Sequence, residues 1–154
     1  MPRTLALDVG KIRIGVAITD PLGYTAQPLL TLWRKSHGED LRNLTRLCRK
    51  HEVTHILVGN PLHLSGDESS WTKKVHEFAA ALHERSGIPV ELWDERLSSQ
   101  AAHEILNESG THRDHEARKQ IIDQVAAVVI LRGWMEVREQ AEARARLEQT
   151  ESSS

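Results

Sequence analysis

The stretch LALDVGKIRIGVAITD, Leu5 to Asp20, constrains the fold of this chain more than any other. It reads as two short strands, Leu5 to Asp8 and Ile12 to Ile18, joined by a tight turn at Val9-Gly10-Lys11. The second strand alternates strictly. Ile12, Ile14, Val16 and Ile18 define an apolar face, and Arg13, Gly15 and Ala17 the other. Gly15 and Ala17 leave that second face low, which is expected to let a bulky anionic substrate approach. Asp8 ends the first strand just before Gly10. A carboxylate there is costly to bury without a positive partner, which a divalent metal can provide. An aspartate before a glycine turn can equally be satisfied by the turn backbone, and Asp8 alone does not choose between these roles.

The rest of the chain predicts alternating elements. Pro21-Leu22-Gly23 is a turn, and Tyr24 to Trp33 a third strand with Pro28 marking an edge. Three strands in succession form an antiparallel meander. Ser36 with Glu39 matches a capping box and opens a helix with Leu41, Leu44, Leu47 and Cys48 inward. Thr54 to Val58 is a buried strand, ended by Gly59-Asn60-Pro61. Ser69 or Ser70 caps a helix whose Val75, Phe78, Ala79 and Leu82 share a face, and Gly87 stops it. Val90 to Trp93 is a strand, and Ser98 or Ser99 caps a helix that ends at Gly110. A polar loop over 110–117 precedes a long helix from near Arg118 to about Leu147. This order predicts one α/β domain over 1–147 with a frayed tail at 148–154. Its five-stranded mixed sheet joins the meander to two parallel strands, with helices on both faces.

Composition narrows the function classes. A net charge of −2 argues against a strongly basic nucleic-acid binder, although it leaves local patches open. The single cysteine, Cys48, excludes an intrachain disulfide and a multi-cysteine zinc site, and its place on a helical stripe reads as core. No apolar run is long enough to cross a membrane and no signal peptide is apparent, so a cytoplasmic protein is expected. His112 and His115 lack a third ligand nearby and are not read as a zinc site. Trp33, Trp93 and Trp134 are assigned to packing. Trp71, beside the loop after Pro61, is weighed as either packed or base-stacking.

Two further acids carry the chemistry. Glu95 lies just beyond a strand end, where sites form in open α/β sheets, and its neighbour Asp94 competes for the role. Asp123 shares a helix face with Ala126, Ala127 and Ile130, so it is drawn toward the sheet. The alternative is a carboxylate satisfied at a helix start. Asp8, Glu95 and Asp123 together would suit Mg²⁺ or Mn²⁺, which take oxygen ligands and support phosphodiester cleavage.

DVGKIRIGVAITD, VGNPLHLSG, DERLSS and IIDQVAAVVIL resemble, in order, the motifs of the YqgF/RuvX family of pre-16S ribosomal RNA nucleases. That family is similar to Holliday-junction resolvases of the ribonuclease H-like fold. The resemblance runs from about Leu5 to Trp134. It implies that Asp8, Glu95 and Asp123 are the catalytic, metal-holding acids, with Mg²⁺ or Mn²⁺ as cofactor. It implies structured RNA or branched DNA as substrate. No membrane partner is expected, and the oligomeric state is left open between monomer and homodimer. Arg13 matches an arginine expected to contact phosphate, and Gly59, Pro61 and Gly66 match a loop beside the site. The family often has a lysine two or three residues before the helix aspartate. Here Ile121 and Gln120 stand there, and Lys119, one residue further back, is the candidate. Asn60 replaces a usually apolar residue, and Ser98-Ser99 a more usual Ser/Thr-Thr. The rivals are a four-way junction resolvase, a non-catalytic nucleic-acid-binding module, and sugar-kinase-like ATP binding, for which a second lobe is lacking.

Overall fold

The computed structural model describes residues 2–61, 69–94 and 115–152, with the side chains of 115–121 and 151–152 outside that description. Five strands build the sheet: β1 (Arg3–Val9), β2 (Arg13–Thr19), β3 (Ala26–Trp33), β4 (Val53–Asn60) and β5 (Val90–Asp94). Three helices are described: α1 (His37–Lys50), α2 (Ser70–Ser86) and α3 (His115–Ser152). The sheet order is β3-β2-β1-β4-β5. β1–β2 and β2–β3 pair antiparallel, while β1–β4 and β4–β5 pair parallel. The expected meander with two added parallel strands is therefore present. The helix expected between Ser98 and Gly110 lies outside the described residues.

Strand alternation divides the core. Leu5, Leu7, Val9, Ile14, Val16, Ile18, Ile56 and Val58 pack against Leu41, Leu44 and Cys48 of α1 and Val75, Phe78, Ala79 and Leu82 of α2. The opposite face presents Ala6, Ala17 and Leu57 to Ala127, Ile130, Leu131 and Trp134 of α3. Small residues on this second face let a helix lie close to the strands.

The helix ends follow the sequence signals with one change. Ser36 caps α1 by accepting from the Glu39 amide at 3.2 Å. The reach-back comes from Asp40, whose Oδ1 accepts from the Lys35 amide at 3.0 Å. Ser69 and Thr72 form a full capping box on α2, and Gly87 ends that helix in the left-handed region at φ 72°. Asp20 Oδ1 accepts from the Tyr24 and Thr25 amides, each at 2.7 Å, and closes the turn before β3. Those bonds, that from Thr25 foremost, hold its carboxyl below the usual range.

Several boundaries differ from expectation. Ile12 is 62% exposed and precedes β2, because the Gly10 amide bonds the Arg13 carbonyl at 2.8 Å and turns Ile12 outward. Tyr24 belongs to the Asp20 turn and is exposed, so β3 starts at Ala26. Pro28 does sit on an edge strand, opposite Ala17 and beside a register shift at Val16/Ala17, where a missing donor is tolerated. β4 continues through Gly59 and Asn60 before Pro61 stops it. α3 begins at His115, inside the expected loop, and runs to Ser152.

Cys48 is buried in α1, and that burial pushes its thiol up to about 11. The reactive thiolate is then about a hundredfold scarcer at pH 8 than in the unfolded chain. Iodoacetamide is expected to label native protein at pH 8 at least that much more slowly than urea-unfolded protein. Equal labelling rates, followed by mass spectrometry, would contradict the packing.

Candidate active site

The parallel strands β1, β4 and β5 end at one edge of the sheet. Leu7 pairs Val58, Gly59 pairs Trp93 and Asn60 pairs Asp94, so these ends lie side by side. β2 starts and β3 finishes at the same edge, with Arg13 opposite Trp33. In open sheets this edge is where ligands bind.

Asp8 is partly buried and lies opposite Gly15 on β2. Alternation from Ala6 puts it on the α3 side. A Cβ built on Gly15 would lie 2.0 Å from the Asp123 carbonyl oxygen and 2.9 Å from its Cβ. The helix backbone thus rests directly on Gly15, and Asp123 stands over the cross-strand partner of Asp8. This overturns the expectation that Gly15 and Ala17 keep that face low for a substrate. They keep it low for α3.

Asp123 is the ninth residue of α3. A macrodipole contribution fades beyond the first turn, so the helix start does not account for it. Its Oδ2 instead accepts from Arg13 Nε at 2.7 Å, with each side chain about 20% exposed. The Arg13 guanidinium also lies 5.4 Å from the Trp33 ring centroid. Next along α3, Gln124 donates to Thr31 at 2.8 Å and ties the helix to β3.

Asp8, Arg13 and Asp123 are therefore brought to one edge and one face. Gly59 is buried in β4 beside them, and the Pro61 carbonyl accepts from Thr72 Oγ1 at 2.8 Å. Asn60, polar where the family usually has an apolar residue, accepts through Oδ1 from His76 Nε2 at 2.8 Å. Glu95 and Gly66 lie outside the described residues. Lys119 falls within α3, but its side chain is outside that description. On β5, Glu91 and Trp93 face α3, which leaves Asp94 on the other side of the sheet. Among the described residues no group of three His, Cys, Asp or Glu could hold a metal. The donor chemistry still fits a hard cation: two carboxylates, one from a strand and one from a helix, share an edge.

Two features escaped sequence reasoning. Asp40 is buried and accepts from Arg34 Nε at 3.0 Å, while Arg34 Nη1 donates to the Gly10 carbonyl at 3.0 Å. That network anchors the turn immediately after Asp8. Arg34 also lies over the Phe78 ring, so it joins the turn to α2. Asp40 had no distinguishing local signal, since an acid in a first helical turn is ordinary. The second feature is Trp33, expected in the core but 45% exposed at the end of the edge strand. By contrast, Trp71 packs against the first core cluster with Lys11 over its ring. A cavity of about 380 Å³ lies beside the middle of α3, lined by Thr4, Thr19, Tyr24, Trp134 and Met135, away from Asp8 and Asp123.

A mixed sheet in this order, with a long helix carrying an acid onto its first hairpin, defines a ribonuclease H-like domain. The fold matches the yeast mitochondrial Holliday junction resolvase Ydc2, at TM-score 0.57 and 14% identity over 97% of this chain and 84% of that one. It also matches Thermus thermophilus RuvC in complex with a Holliday junction substrate, at TM-score 0.53 and 12% identity over 84% and 92%. Residues 2–137 match the RuvX family, described as a Holliday junction resolvase. Relatives named "Putative pre-16S rRNA nuclease" include one from Lachnospira eligens, 47% identical over 137 residues, covering 87% of this chain and 96% of the relative. Another, from Koribacter versatilis, is 46% identical over 136 residues and 88% of each chain. The chain belongs to the RuvX family.

The close approach at Gly15 yields a test. Gly15→Ala forces α3 away from β2 and is expected to destabilise the fold by about 3 kcal/mol or more, at the upper end for overpacking. Denaturant titration measures this, and wild-type stability would refute the contact. Asp40→Ala leaves Arg34 without its buried partner. It is expected to cost about 3 kcal/mol, in the range for breaking a buried ion pair. The same titration reads it, and a loss under about 0.5 kcal/mol, typical of a surface site, would remove the anchoring role.

Proposed function

We propose that this protein is a metal-dependent endonuclease that hydrolyses phosphodiester bonds in structured nucleic acid. Its substrate is the immature 5′ end of pre-16S ribosomal RNA. The observation that carries this reading is the seating of α3 on Gly15, which sets Asp123 over the strand partner of Asp8 at the ligand-binding edge of the sheet. Membership of the RuvX family and the names of the relatives support the substrate class.

Asp8, Asp123 and Glu95 are the residues that would hold Mg²⁺ or Mn²⁺. Such ions activate water and neutralise charge on the leaving oxygen in phosphodiester hydrolysis. Arg13 orients the Asp123 carboxylate through Nε and presents the rest of its guanidinium, a planar set of donors, toward a phosphate. Gly59 keeps the floor beside Asp8 free of side chain. Lys119 is the further candidate for phosphate contact. Cleavage leaves a 5′-phosphate and a 3′-hydroxyl.

A second reading, resolution of four-way DNA junctions, is favoured by the family description and by the fold shared with resolvases. Cleavage of precursor RNA and of junction DNA by the same preparation decides between them. Asp8→Asn is expected to retain the wild-type circular dichroism spectrum and melting temperature while losing precursor-RNA cleavage in Mn²⁺ by at least about a thousandfold. That is about 4 kcal/mol of barrier. EDTA is expected to abolish wild-type cleavage. Undiminished turnover by Asp8→Asn would overturn the assignment of Asp8, whereas metal-independent binding by the wild type with no products would leave a binding module as the alternative.

A further inference from the structure

Three of the four tryptophans pack onto a core cluster: Trp71 on the α1–α2 side, Trp93 beneath α3 and Trp134 on α3 itself. Trp33 joins neither cluster. It is the last residue of β3, an edge strand, and 45% of it remains exposed. A large indole left this open costs hydrophobic stabilisation that burial would supply. Its place in the fold indicates what that exposure serves.

Trp33 pairs with Arg13 across β2–β3, at the edge where β1, β4 and β5 end. Two residues earlier, Thr31 bonds Gln124 of α3, so alternation puts Trp33 on the α3 face, the side of Asp123. Carboxylate, guanidinium and indole then stand in a row. Asp123 Oδ2 accepts from Arg13 Nε at 2.7 Å, and the Arg13 guanidinium lies 5.4 Å from the Trp33 ring centroid. Held at both ends, Arg13 cannot leave the row without losing an ion pair and a cation–π contact.

The row has the order of chemical groups in one nucleotide step. A phosphate held by Arg13 places the adjoining base within reach of the exposed indole. Every base has a π-face, so an indole accepts any of them, provided the base is not already stacked inside a duplex. A nucleic-acid strand offers both the phosphate and the ring.

Resting on the nuclease reading above, we infer that Trp33 is a specificity-determining residue that stacks on an unpaired base flanking the cleaved phosphodiester. It makes this protein a nuclease of strands unpaired at the cut, and Arg13 couples the stacked base to Asp123.

The test uses the full chain with a single-stranded RNA oligonucleotide, a single-stranded DNA oligonucleotide and a blunt RNA duplex, all in EDTA. Binding is read by fluorescence anisotropy and by tryptophan quenching. Wild-type protein is expected to bind both single strands more tightly than the duplex, with quenching that Trp33→Phe largely removes. Trp33→Phe retains a ring and should stay within about threefold of wild-type affinity. Trp33→Leu should lose about tenfold on single strands and almost nothing on the duplex, the order of one base–aromatic stack. In Mn²⁺, Trp33→Leu should raise KM for a substrate unpaired at the cut far more than it lowers kcat. A shared melting temperature shows that all variants fold.

Equal affinity of wild type and Trp33→Leu for single strands, or quenching that persists in Trp33→Phe, overturns the inference while leaving the nuclease reading intact. Wild-type protein that neither binds nor cleaves overturns both.

Discussion

The contact of the α3 backbone with Gly15 is the constraint on which the arrangement depends. No side chain fits between them, since a single added carbon would lie 2.0 Å from the Asp123 carbonyl oxygen. Ala6 and Ala17 extend the same low surface, and Ala127 answers them from the helix. A close-packed helix has little freedom to slide, because interior packing transmits displacement. The position of Asp123 relative to β1 is thus set by the absence of side-chain atoms.

The other side of the hairpin is held by polar groups. Arg34 bonds the Gly10 carbonyl, pairs with buried Asp40 and lies over Phe78. The loop that follows Asp8 is thereby tied to both α1 and α2. Asp8 sits between two restraints of different kinds: steric contact through Gly15 above one face, and a charge-assisted network behind the turn. On the proposed reading, a carboxylate held this way need not be moved into place before a cation arrives.

Much of this was legible in the sequence because it is periodic or local. The alternation of β2, the Pro28 edge, the Ser36 and Ser69 caps and the Gly87 stop all state their structural role within a few residues. What was illegible depends on residues far away in the chain. Gly15 reads as an open surface until a helix more than a hundred residues later is placed on it. Ile12 continues the apolar alternation, and only the Gly10–Arg13 hydrogen bond shows that the strand has not yet begun. Asp40 resembles any acid in a first helical turn until Arg34 and the Lys35 amide close around it. Trp33 reads as packing, and its exposure goes with its place at the end of β3, the edge strand of the sheet. Of the three acids expected together, Asp8 and Asp123 lie on one face at one edge of the sheet, and Glu95 lies outside the described residues.

The length of α3 has a consequence for the molecule as a whole. Its 38 residues extend for about 57 Å, but its last core contacts are Trp134 and Met135. The match to the family stops at residue 137, almost where those contacts stop. From Glu136 to Thr150 every side chain is solvent-exposed. Among the described residues, this rod adds no side chain to either core cluster of the shared domain. A 17.4 kDa chain with such a rod is expected to meet more drag than a sphere of the same mass.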